Sequence, residues 1–166
     1  RCFNLNIPVV CGTTAWYQKF DEIKERCIKE NQAFFYAPNF SIGMNIMFML
    51  NKQLAKITEK YNYKLSLTET HHIHKLDKPS GTAVKLAEDI LENNNNYKLW
   101  TLNECTIDNE QLTIDDVLPI EAIRKGDVFG IHEVKAESDC DIIQLRHEAF
   151  SRKGFAIGAV IAAEFL

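Results

Sequence analysis

Glu69-Thr70-His71-His72-Ile73-His74-Lys75-Leu76-Asp77-Lys78-Pro79-Ser80-Gly81-Thr82-Ala83 is the stretch that decides the reading of this chain. It sets three of the five histidines and two lysines just ahead of a Ser-Gly-Thr turn. Upstream, Tyr63 to Ile73 alternates with period two: Leu65, Leu67, Glu69, His71 and Ile73 share one face, and Ser66, Thr68, Thr70, His72 and His74 the other. The spacing predicts a strand that delivers histidines at its exit. Downstream, Ala83 to Glu92 has Val84, Ala87, Ile90 and Leu91 at helical intervals, and Ser80 or Thr82 is placed to cap that helix.

Three readings of the cluster compete. Histidines satisfied by local hydrogen bonds would be structural only. His72 and His74, two apart on a strand, could share a metal ion with Glu69 or His132 as third ligand, making the chain a non-catalytic metal-binding oligomerisation module. Lys75 and Lys78 oppose that, since two ammonium charges repel a divalent cation and favour an anion. The third reading follows: lysines, a histidine and the amides at a helix start hold a carboxylate or phosphate, Gly81 lets the backbone close on it, and the histidine moves protons near neutral pH. This describes acid-base chemistry on a small acidic molecule, with no resident metal.

The rest of the chain supplies the frame. Ile7 to Cys11 and Ala33 to Ala37 are apolar runs ending in Gly12-Thr13-Thr14 and Pro38-Asn39-Phe40, with a helical pattern (Phe20, Ile23, Cys27, Ile28) between them. They read as the tail of a parallel α/β sheet, with both loops at its ligand-binding carboxyl edge. Ser41 to about Tyr61 is a long helix capped by Ser41, with Met44, Met47, Phe48, Leu54 and Ile57 on one stripe. The Asn93 to Asn96 run reads as a solvated turn, and Tyr97 to Pro119 has no clear period. Ile120 to Arg124, Val128 to Ala136 and Ile142 to Phe150 read as strands, making a mixed sheet of about four strands with the histidine strand. Ser151 to Leu166 is helical, with Phe155, Ile157, Val160 and Ile161 at helical intervals. The fold class is α/β: a Rossmann-like parallel tail plus an α+β domain.

Composition excludes several functions. A net charge of −4 with no basic face argues against nucleic acid. Five scattered cysteines without a C-x-x-C pair argue against a disulfide framework and point to a reduced, cytoplasmic protein. The longest apolar run, Phe155 to Ala163, is too short to span a bilayer. Position 1 is not Met, and both ends fall within apolar patterns, so a fragment is expected.

Four stretches together resemble the dihydrodipicolinate (4-hydroxy-tetrahydrodipicolinate) reductase family. Val9 to Thr14 resembles its second nicotinamide-contacting loop, and Ala37 to Gly43 its A-x-N-F-S-x-G stretch. Glu69 to Ala83 resembles the E-x-H-H-x-x-K-x-D-x-P-S-G-T-A signature, and His147 to Arg152 with Phe155, Ala156, Gly158 and Ala159 the closing motif. The resemblance implies nicotinamide-dependent reduction of a cyclic dicarboxylate in diaminopimelate and lysine biosynthesis. It implies His71 and Lys75 as catalytic proton carriers, His72, Ser80, Gly81 and Thr82 as substrate ligands, and Gly12, Thr13, Thr14, Ala37, Pro38, Asn39 and Phe40 as contacts of NADH or NADPH. It further implies residues 1–39 as the carboxyl part of a dinucleotide-binding domain, 40–150 as a substrate-binding and homotetramer-forming domain, and 151–166 as a helix returning to the first. Two departures stand out: no G-x-x-G-x-x-G segment occurs, and Ala15 follows Gly-Thr-Thr where the family commonly has glycine.

Overall fold

Residues 1–13, 16–102 and 113–166 are described by the computed structural model, so Thr14 of the first loop and Cys105 lie outside the described residues. In chain order the elements are β1 (Val9–Cys11), α1 (Phe20–Lys29), β2 (Phe34–Tyr36), α2 (Ile42–Thr58), β3 (Lys64–His71), α3 (Gly81–Asn93), β4 (Leu99–Leu102), β5 (Val117–Arg124), β6 (Ile131–Glu137), β7 (Ile142–Glu148) and α4 (Lys153–Phe165). Two units form, one from residues 1–45 with 152–166, the other from 46–151.

In the first unit β1 and β2 pair in parallel, with Cys11 opposite Tyr36. Parallel strands need a crossover, and α1 provides it. Because the pair is parallel, the loops beginning at Gly12 and Ala37 leave the same edge, tied by the Ala37 amide donating to the Cys11 carbonyl at 3.2 Å. Asn39 Oδ1 accepts from the Ser41 amide at 2.8 Å, and Ser41 Oγ accepts from the Met44 amide at 3.2 Å. Ser41 is thus the cap the sequence predicts. In α4 the buried residues are Gly158 and Ala162, while Phe155, Ile157, Val160 and Ile161 are exposed. A Cβ on Gly158 would lie 1.7 Å from the Phe40 carbonyl oxygen, so only glycine allows this approach.

The second unit is built on a five-stranded mixed sheet, order β4-β5-β3-β6-β7, rather than about four strands. β4, β5 and β3 run parallel, and β6 and β7 antiparallel to their neighbours. The added strand, β4, comes from the part of the chain with no legible period. β5 begins at Val117 rather than Ile120, and β6 at Ile131 rather than Val128.

Alternation in β3 buries Leu65, Leu67, Glu69 and His71 on the predicted face. The strand ends at His71, so His72 and His74 do not continue its other face and Ile73 is exposed. Leu65, Leu67, Leu86, Ile90, Leu118, Ile120 and Val134 form the core against α3, and each such side chain stabilises the fold by about 1.5–3 kcal/mol. Within this unit α2 buries Met47, Asn51, Ala55 and Thr58, whereas Ile57, placed on the apolar stripe by the sequence, is exposed. Asn51 donates to the Leu86 carbonyl at 2.9 Å. The asparagine run is not simply solvated: Asn94 is buried and donates to the Ala55 carbonyl at 3.0 Å, joining the end of α3 to α2. No helix among the described residues is long and apolar enough to cross a membrane.

Candidate functional site

Parallel pairing of β3 with β5 sets Glu69 opposite Ala122 and His71 opposite Arg124, while antiparallel pairing with β6 sets Glu69 opposite His132. His132 in turn lies opposite His147 on β7. A buried carboxylate is thereby surrounded by imidazoles at the carboxyl end of β3, where the chain turns toward α3.

Glu69 is fully buried, and both its oxygens are engaged. Oε1 accepts from Arg124 Nη2 at 2.9 Å and from the Ser80 amide at 3.2 Å, and Oε2 is bonded to His71 Nδ1. Burial pushes the Glu69 carboxyl up, but the bonds and charges of His71 and Arg124 outweigh it and hold it at about 2. The carboxylate is therefore ionised at neutral pH.

Arg124 also ties the site to the loop beyond it. Its Nε donates to the Lys75 carbonyl at 3.2 Å and its Nη2 to the Asp77 carbonyl at 2.5 Å. Lys75 Nζ is paired with Asp77 Oδ1 at 2.8 Å. Burial raises the Asp77 carboxyl, and the Lys75 bond and charge more than offset this, leaving it below the usual range.

His132 is buried, and its ring meets that of His71 edge-on at 5.1 Å between centroids. Burial, reinforced by the charge of His71, pushes its pKa down to about 3, so it is neutral at working pH. Its Nε2 lies 3.2 Å from Ser80 Oγ, which accepts from the Ala83 amide at 3.2 Å and so caps α3. Ser80, not Thr82, is the cap. His147 is lowered by burial as well.

Of the predicted site residues, the structure gathers His71 and Ser80 around Glu69 and attaches the Lys75 loop through Arg124. The Ser80 amide and hydroxyl are both used within this network, while Gly81 is exposed at the start of α3. His72 is half-buried just past the strand end, and its carbonyl accepts from the Lys75 amide at 3.1 Å. In the first unit Gly12 and Thr13 are exposed, and Gly12 lies against the Phe40 ring, where a Cβ would come within 3.2 Å.

Sequence reasoning missed Arg124, and it noticed Glu69 and His132 only as metal ligands. The clue was available in part, since a carboxylate and a histidine two apart on a buried strand face must be partnered.

A metal centre through His72 and His74 is not favoured. The group of ligand types that converges among the described residues is Glu69, His71 and His132, with ligand atoms within 4.8 Å of one another. There the Arg124 guanidinium already occupies the carboxylate and opposes a divalent cation. A cavity of about 790 Å³ sits instead at the start of β3, lined among others by Tyr63, Lys64, Tyr97 and Asp115. Its Lys64–Asp115 pair is exposed at 2.9 Å.

The family model described as "Dihydrodipicolinate reductase, C-terminus" matches residues 43–166. The chain is 46% identical over 166 residues to the 4-hydroxy-tetrahydrodipicolinate reductase of Christiangramia forsetii, covering 99% of this chain and 66% of that protein. It is 36% identical over 161 residues to that of Rickettsia rickettsii, covering 97% and 64%. For that of Methanopyrus kandleri the identity is 35% over 161 residues, covering 96% and 58%. The chain thus spans less than two thirds of the length of these curated relatives. Among solved structures, a dipicolinate-bound dihydrodipicolinate reductase from Paenisporosarcina sp. TG-14 matches with a TM-score of 0.71 and 26% identity, covering 98% of this chain and 61% of that one. With three quarters of its length matched by the family model, the chain belongs to the dihydrodipicolinate reductase family.

Proposed function

We propose that this chain is the carboxyl-terminal part of a nicotinamide-dependent oxidoreductase that reduces 4-hydroxy-tetrahydrodipicolinate to tetrahydrodipicolinate in diaminopimelate and lysine biosynthesis. The observation that carries this reading is the buried Glu69–His71 pair, braced by Arg124 to the Lys75 loop and followed directly by an exposed helix start at Gly81. Such a site offers a proton carrier beside a receptor for carboxylates. The names of the relatives point the same way.

In this reading 46–151 binds substrate, and 1–45 with 152–166 belongs to the dinucleotide-binding part. Two small-residue loops on one edge of a parallel pair, Gly12-Thr13 and Ala37-Pro38-Asn39-Phe40, suit the flat nicotinamide end, with Gly12 bare against Phe40. The 166-residue sequence carries no G-x-x-G-x-x-G segment of the kind that cradles a pyrophosphate. NADH or NADPH, when bound, supplies the hydride. His71 exchanges a proton with the substrate, and Lys75 acts as the second carrier. His72 and the Ser80-Gly81-Thr82 turn hold the two carboxylates, with Gly81 giving the backbone room to approach. The enzyme is a cytoplasmic homotetramer; the outer strand β7, with Ile142 and Ile143 exposed, offers surface for association.

The test is NAD(P)H oxidation by the full-length protein. His71→Gln and Lys75→Ala should each lower kcat by about 100-fold or more. Wild-type turnover in His71→Gln would remove the catalytic assignment, and a monomer in sedimentation would remove the tetramer.

A further inference from the structure

We propose that Glu69 is the positioning residue of His71: it fixes the imidazole in the Nδ1–H form and so makes Nε2 the atom that exchanges protons. The inference rests on His71 being the proton carrier and concerns how that carrier is prepared.

An ionised carboxylate can only accept hydrogen bonds. Since Glu69 Oε2 is bonded to His71 Nδ1, the hydrogen between them must reside on Nδ1. In the neutral ring the lone pair is then on Nε2, and in the cation the transferable proton is there too. Glu69 does not itself take the proton, because its carboxyl is held at about 2. The carboxylate cannot swing away either. Its other oxygen is held by Arg124 at 2.9 Å and by the Ser80 amide at 3.2 Å, so three donors from β3, β5 and the start of α3 converge on one buried group.

The opposite side of the ring is left clear by a glycine. An ideal Cβ on Gly130 would lie 3.1 Å from His71 Nε2 and 3.4 Å from Cδ2. The first value is a hydrogen-bonding distance, so the position that any other residue would fill is where a proton acceptor or donor can meet Nε2. Nδ1 is occupied by Glu69, and the bare Gly130 leaves room beside Nε2: the geometry gives each ring nitrogen a separate duty. His132, edge-on to the same ring and neutral, adds no competing charge.

Glu69→Gln is the informative change, because it keeps the volume and removes the acceptor-only character. An amide can turn its NH₂ toward His71 and accept the proton pattern in reverse. The expected result in the full-length protein is a kcat reduced by about 100-fold with KM within about threefold, since a residue that merely orients the catalytic group acts on turnover. Nitrogen-15 NMR of the histidine ring, which does not depend on activity, should show His71 of the wild type with its proton on Nδ1 and His71 of Glu69→Gln with a mixed or reversed tautomer. A wild-type ring protonated on Nε2 alone would overturn the inference even if the variant failed to fold. So would wild-type kcat in Glu69→Gln while His71→Gln is inactive, an outcome that leaves the proposed function intact. Turnover surviving in His71→Gln would instead remove the reading beneath it.

Discussion

Arg124 Nη2 donates to Glu69 Oε1 at 2.9 Å across 55 residues of sequence, and both side chains are buried. The same guanidinium reaches the carbonyls of Lys75 and Asp77, so one residue at the end of β5 secures both the carboxylate behind His71 and the loop carrying Lys75. A planar group with several donors can do this, whereas an ammonium offers a single point of charge.

Arg124→Met should therefore destabilise the protein by about 3–5 kcal/mol, because it leaves Glu69 buried and ionised without its cation. Urea unfolding followed by circular dichroism measures this. Arg124→Lys should recover only part of the loss, since lysine cannot satisfy Glu69 and both carbonyls together.

Acid should destabilise the fold through two groups. Glu69 is held at about 2 against an ordinary carboxylate value, so its contribution is full above the unfolded pKa and is lost as pH falls toward 2. His132 is held at about 3, so the unfolded chain takes up its proton first, and stability falls as pH drops from about 6.5 toward 3. Each such proton contributes a slope of about 1.4 kcal/mol per pH unit within its window. His132→Gln should flatten the difference in unfolding free energy between about pH 6.5 and 5.5 relative to wild type, a range that lies above the unfolded pKa of Glu69.

Gly130→Ala should lower kcat with the fold retained. The new methyl would press on His71 at 3.1 Å, and the ring, fixed at Nδ1 by Glu69, can retreat only by weakening that bond. A fall of about 10-fold or more in kcat is expected, since small misplacements of a catalytic group are costly. Steady-state NAD(P)H oxidation together with a melting curve separates the two effects.

Gly158→Ala should act on stability. Its Cβ would overlap the Phe40 carbonyl at 1.7 Å, so α4 and the Ala37–Phe40 loop must move apart. Overpacking of this kind costs about 1–3 kcal/mol or more, readable as a lower Tm. Ala162, one turn on, already carries a methyl on the buried face, which makes Ala162→Gly a mild control.

Much was determined by sequence alone. Period two placed Leu65, Leu67, Glu69 and His71 on one buried face, because alternation follows from the geometry of a strand whatever surrounds it. The Ser41 cap and the capping role of the Ser80 region were likewise legible, since a helix start needs a side-chain acceptor within three residues. The family was legible too, from motifs that lie in order along the chain. Tertiary structure decided the rest. β4 has no strong pattern of its own and is a strand only because β5 pairs with it. Asn94 looked solvated in a run of asparagines, and only the packing of α3 on α2 gave its amide a buried carbonyl to meet. Arg124 read as the last residue of a strand, and His132 as a candidate metal ligand. Register across β5, β3 and β6 brought both to Glu69, and burial then required the carboxylate to be paired. Local pattern can announce which side chains are buried, but the partner of a buried charge comes from distant sequence, and only the sheet names it.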